Sequence, residues 1–231
     1  MIGAPCLGYE RELGCPKFPQ EERGGKRLMR GGADLSKLDP LPGAREELDR
    51  LADQGGPGVL ELVGEDATER AVREADLGRF DKLFISTHVL STDEVGTHES
   101  GLVFSREMDQ ADPPDDDDGF LSESELLTGR LHWNAGLVVV AGCNSAMPAE
   151  SGGYYALPSL SGLAKAIMAN GARQLILTQS PLDDRISLKF TSALASADGD
   201  YHKVLRRVML DQIQSGDPYP ENWASFVAVG H

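Results

Sequence analysis

The chain reads as an α/β protein with a mostly parallel central sheet and helices on both faces. Two observations predict this. Short aliphatic runs alternate along the chain with segments carrying a 3.6-residue apolar period. The runs are also apolar at consecutive positions, as in LVVVA (137–141) and KLFIS (82–86), the pattern of strands covered on both faces. A length of 231 residues suits one large domain or two small ones with a substantial core.

Residues 1–25 are rich in Gly, Pro and charge without steady periodicity, and read as a linker or leader ahead of a domain over 26–231. A short strand KRLM (26–29) then precedes Pro42, which suits the first turn of a helix GAREELDRLADQ closed by Gly55 and Gly56. GVLELVG (58–64) is a strand. Asp66 with Glu69 has the spacing of a capping box for the helix ATERAVREA. KLFISTH (82–88) is a buried strand that ends in a His, and GLVFS (101–105) is a small strand.

Ser122 and Glu125 form a second capping box, for a short helix. LVVVA (137–141) is the next central strand, followed by the helix SLSGLAKAIMAN, ended by Gly171. RQLILTQ (173–179) is a strand and DDRISLKFTSALA a helix. In YHKVLRRVMLDQIQSG, the apolar positions Val204, Leu205, Val208, Met209 and Ile213 follow the helical period. WASFVAVG (223–230) closes the chain as a strand. No fixed-period repeat occurs, which excludes a solenoid.

Composition narrows the function. A net charge of −15 argues against nucleic acid or an anionic membrane as partner. No run approaches 18 apolar residues, and the first residues lack a basic flank and apolar core, so a cytoplasmic location is the expectation. Three cysteines, Cys6, Cys15 and Cys143, make no disulfide framework and no CxxC zinc motif. There is no GxSxG elbow and no GxxxxGK[ST] loop, and GGPGVLE precedes its strand instead of following it. His98, His132, His202 and His231 show no metal-ligand spacing, so no metal or other cofactor is expected.

The acidic run PPDDDDGFLSESE (113–125) invites a calcium reading. With Gly119 at the turn position, Asp116, Asp118 and Glu125 fall at ligand places of an EF-hand loop. The first ligand place is then Pro114, which has no side-chain oxygen, and Glu125 has its capping role. A solvated acidic loop is the better account.

In open α/β sheets, ligands bind beyond the carboxyl ends of the strands. His88 and Cys143 both stand at such ends. If their strands are sheet neighbours, the backbones run about 4.8 Å apart and the two side chains can meet. A thiol with a pKa near 8.5 is mostly protonated at neutral pH, and an adjacent imidazole favours the thiolate. The same imidazole can later protonate a leaving amine, so the pair suffices for acyl transfer.

These residues lie within a wider resemblance. PLPGAREELDRLA, LVGEDATERAV, FDKLFISTH, GLVFS, DGFLSESELL, LVVVAGCNSA, GLAKAIMANGARQLILTQ and NWASFVAVG match, in order, the CHAT family of caspase-like peptidases, often found attached to TPR repeats. The spacing agrees with the caspase arrangement, in which the His precedes the Cys by roughly 50 residues. The resemblance implies a caspase-like three-layer sandwich and a cysteine endopeptidase acting on protein substrates. His88 is then the general base and Cys143 the nucleophile. Backbone N–H groups around Val89 and Gly142 would cradle the oxyanion. A regulatory partner or TPR-type sensor module is a further implied partner.

Two positions depart from the family pattern. Val89 follows the His where the family usually has Gly, and Ser180, in TQSPLDD, stands where it typically carries a Trp. They motivate an alternative, a catalytically silent caspase-like scaffold that binds a protein partner. A small-ligand module on a doubly wound sheet is a more remote third option. Asp183 and Asp184 could favour a substrate with Arg or Lys before the scissile bond, but their capping of the following helix is the stronger account.

Overall fold

The computed structural model describes residues 1–5, 38, 41–90, 99–105, 117–129, 131–142, 162–180 and 183–230. In chain order these form β1 (Ile2–Pro5), α1 (Pro42–Gly55), β2 (Leu62–Gly64), α2 (Glu69–Glu74), β3 (Lys82–Ser86), β4 (Val89–Leu90) and β5 (Gly101–Val103). There follow β6 (Phe120–Ser122), α3 (Glu123–Gly129), β7 (Leu137–Val140), α4 (Gly162–Ala169), β8 (Gln174–Thr178), α5 (Asp184–Ala195), α6 (Tyr201–Gln214) and β9 (Phe226–Gly230). Among the described residues, no helix is long and apolar enough to cross a membrane.

A six-stranded sheet has the order β2-β1-β3-β7-β8-β9, and a three-stranded antiparallel sheet has the order β4-β5-β6. Every pairing in the large sheet is parallel except β8 with β9. The exception has a simple cause. Two helices in succession, α5 and α6, separate β8 from β9, and the second carries the chain back to the end of the sheet it had just left.

The aliphatic runs are continuous because alternate residues serve different cores. Leu83, Ile85, Val138 and Val140 pack with α2, α3, α4 and the small sheet. Phe84, Leu137 and Val139 face the other way, onto α1, α5 and α6 through Leu48, Phe190 and Leu205. The result is the predicted three-layer α/β sandwich, buried on both faces of its sheet.

Two local readings need correction. Residues 2–5, placed in the leader by composition, form β1 and pair in parallel with both β2 and β3. Four residues are too few to show a period, yet enough to be buried at Ile2. The predicted strand KRLM lies outside the described residues. Asp66 and Glu69 do not make a capping box. The N-cap of α2 is Thr68, whose hydroxyl accepts from Ala71 N at 3.0 Å, and Glu69 turns inward instead.

Glu69 is fully buried. Its carboxyl accepts from Arg73 Nε at 2.9 Å and Nη2 at 2.6 Å, and from Gly119 N at 3.1 Å. The capping box of α3 is present: Glu125 accepts from Ser122 N at 2.8 Å, and Ser122 Oγ accepts from Glu125 N at 3.3 Å. At the described positions of the acidic run, Asp117 pairs with Arg70 at 2.6 Å and Asp118 accepts from Phe120 N at 2.9 Å. These carboxylates fasten the run to α2 and β6.

Candidate functional site

The strands that lead to the predicted dyad residues, β3 and β7, are direct neighbours. Each β3 residue faces the β7 residue whose number is 55 higher, from Lys82 with Leu137 to Ile85 with Val140. The ladder continues past the strand ends, with Ala141 N donating to Ile85 O at 2.8 Å. His88 is half-buried beyond the carboxyl end of β3, at the rim where α/β sheets take ligands. Cys143 lies outside the described residues.

Gly142 is the last described residue before Cys143, and its backbone is wedged against both neighbours of His88. A Cβ there would lie 2.6 Å from Thr87 O and 2.6 Å from Val89 Cγ2. Only a glycine lets the two chain segments approach this closely. On its other side, Thr178 Oγ1 at the end of β8 donates to Gly142 O. The carboxyl ends of three adjacent strands therefore close around the residue preceding the cysteine.

The chain through His88 is held by Val103. Thr87 Oγ1 donates to Val103 O, and Val103 N donates to His88 O at 3.0 Å. That second bond has a consequence for Val89. In an antiparallel ladder, hydrogen-bonded and non-bonded pairs alternate. His88 with Val103 is a bonded position, so the next pair, Val89 with Leu102, is a non-bonded one. The Val89 N–H accordingly points away from β5. A donor aimed outward from the residue after the His is what oxyanion stabilisation needs.

Val89 stands in the extended strand β4 and has no positive φ. A β-branched residue is at ease there, so the absence of Gly brings no backbone strain. Ser180 Oγ lies 2.9 Å from Ser225 Oγ, joining the segments after β8 and before β9. Asp183 is the N-cap of α5 and accepts from Arg185 N at 2.9 Å, the capping account anticipated for it. The side chain of Asp184 lies outside the described residues.

Several residues around His88 escape a reading of the sequence. Thr87, Val103 and Thr178 act through backbone partners that no local pattern announces. Glu47 is different. It shares the apolar stripe of α1 with Ala44, Leu48 and Leu51, and a carboxylate on such a stripe is a legible anomaly. It accepts a hydrogen bond from Ser86 Oγ at 2.9 Å, two residues before His88.

A family model described as the CHAT domain matches residues 13–231. No curated protein matches the sequence. With nearly the whole length matched and an α/β sandwich of mostly parallel strands, the chain belongs to the CHAT domain family of caspase-like peptidases.

Proposed function

We propose that the protein is a cysteine endopeptidase that cleaves protein substrates with Cys143 as nucleophile and His88 as general base. The observation that carries this reading is the contact of Gly142 with the residues on both sides of His88, at the 55-residue offset that also separates His88 from Cys143. In the reaction, the imidazole takes the thiol proton and the thiolate attacks the peptide carbonyl carbon. The oxyanion draws on the outward Val89 N–H and a donor near Gly142. The imidazolium then protonates the departing amine, leaving a thioester that water hydrolyses with His88 again as base.

A screen of peptide-library cleavage tests this directly. Cys143→Ala abolishes cleavage while keeping the wild-type circular dichroism and melting temperature, and His88→Ala acts similarly because the thiol loses its proton acceptor. Undiminished proteolysis by Cys143→Ala would remove the proposal. One observation favours the scaffold alternative: the Val89 side chain covers the face of Gly142. A wild-type chain that cleaves nothing in the library, with Cys143 no more reactive than a free thiol, would select it.

A further inference from the structure

We infer that Glu47 is a positioning residue for the general base, acting through Ser86. The inference rests on the Cys143–His88 reading above. Glu47 is only 4% exposed, on the face of α1 that packs against the sheet. Its Oε2 accepts from Ser86 Oγ at 2.9 Å, and its Oε1 accepts from Ser187 Oγ at 2.9 Å and Thr191 Oγ1 at 2.6 Å, both on α5.

A leucine at this position would extend the apolar stripe at no desolvation cost, whereas a buried carboxyl is tolerated only when its oxygens are well satisfied. What the carboxyl does that a leucine cannot is grip a hydroxyl on the sheet. Ser86 is the last residue of β3. The next residue, Thr87, is held from the opposite face of the sheet by Val103 O. The two residues leading into His88 are thus tied in opposite directions, one to the α1–α5 layer and one to the small sheet. This fixes the Cα that carries the imidazole.

Loss of the Glu47–Ser86 bond frees one of the two ties. The imidazole then spends less time against the thiol, so the thiolate is less favoured and proton transfer is less well aligned.

The test compares Ser86→Ala and Glu47→Gln with Ser105→Ala. Ser105 is also a buried serine, but its hydroxyl donates to Gly64 O at the end of β2, two strands from β3. The readouts are thermal stability, kcat and KM on a cleaved peptide, and the pH profile of iodoacetamide alkylation mapped to Cys143. For Ser86→Ala and Glu47→Gln, the alkylation profile moves towards that of a free thiol, near 8.5. Their kcat falls about tenfold to a hundredfold with KM held. Ser105→Ala keeps the wild-type profile and kcat.

Should Glu47→Gln fail to fold, Ser86→Ala carries the test, since it opens only the tie to β3 and leaves Ser187 and Thr191 donating to Glu47 Oε1. A folded Ser86→Ala with wild-type profile and kcat, in a protein that Cys143→Ala inactivates, overturns the role of Glu47 and leaves the dyad standing. Continued cleavage by Cys143→Ala overturns the dyad, and this inference with it.

Discussion

Substituting Gly142 by Ala puts the packing at the candidate site under direct strain. The new Cβ would meet Thr87 O at 2.6 Å and Val89 Cγ2 at 2.6 Å. Neither neighbour yields cheaply. Thr87 is backbone, fastened to Val103 through its own side chain, and Val89 belongs to β4. Overpacking of this kind costs about 1–3 kcal/mol. Gly142 has no positive φ, so Ala can adopt its backbone and recovers about 0.4–1 kcal/mol through the unfolded state. The net expectation is a loss of roughly 1–2 kcal/mol, read as a lower urea midpoint at unchanged m-value.

The functional effect should exceed the loss of stability. The steric load falls on the residues flanking His88, and a displacement of about 1 Å at a catalytic group can cost a hundredfold in rate. Val89→Gly removes one of the two clashes, so the Val89→Gly, Gly142→Ala double variant is more stable than the sum of the single changes implies. A Gly142→Ala protein with the wild-type midpoint and wild-type cleavage rate would refute the packing argument.

Other predictions concern parts of the molecule away from that contact. Burial lifts Glu69 from its ordinary 4.5 to about 7, aided by Glu125 and Asp118 and opposed by Arg73. Because the folded protein holds this proton more tightly than the unfolded chain, the stability it contributes is complete below about pH 4.5 and is lost as pH rises through about 7. Glu69→Gln abolishes that titration, so wild type loses about 3 kcal/mol relative to the variant across this interval; urea unfolding at a series of pH values that showed a constant difference would contradict it. Asn170→Ala removes the bonds from Nδ2 to Leu126 O and Ala166 O and from Leu131 N to Oδ1, and should cost about 2–3 kcal/mol in denaturant unfolding without altering the alkylation profile of Cys143. Asp183→Ala should cost about 1 kcal/mol in the same assay as the cap of α5 is lost.

The sequence is most informative where burial is strongest. LVVV and KLFI announce strands covered on both faces because each face meets its own core, and the structure divides their residues between two clusters accordingly. Strand-end placement likewise singled out His88, since ligand sites in such sheets follow from topology. Two kinds of information were not legible. One is pairing at a distance: β1 is four residues long, and only its pairing with β2 and β3 makes it a strand.

The other is the target of a short polar side chain. Asp66 and Glu69 have capping-box spacing, but Arg73 and the Gly119 amide draw Glu69 inward and Thr68 takes the cap. Val89 belongs here too: it follows the His where the family usually has Gly, and only its pairing opposite Leu102 shows an extended backbone that makes no demand for positive φ and turns its N–H outward.

In the proposed dyad, an imidazole and a sulfur from distant parts of the chain meet at one rim of the sheet. The pH dependence of Cys143 alkylation, measured side by side in the wild type and in His88→Ala, tests it most directly. The wild-type midpoint is expected at least about one unit below 8.5, restored to about 8.5 when the imidazole is removed. Coincident profiles at the free-thiol value in both proteins would contradict it.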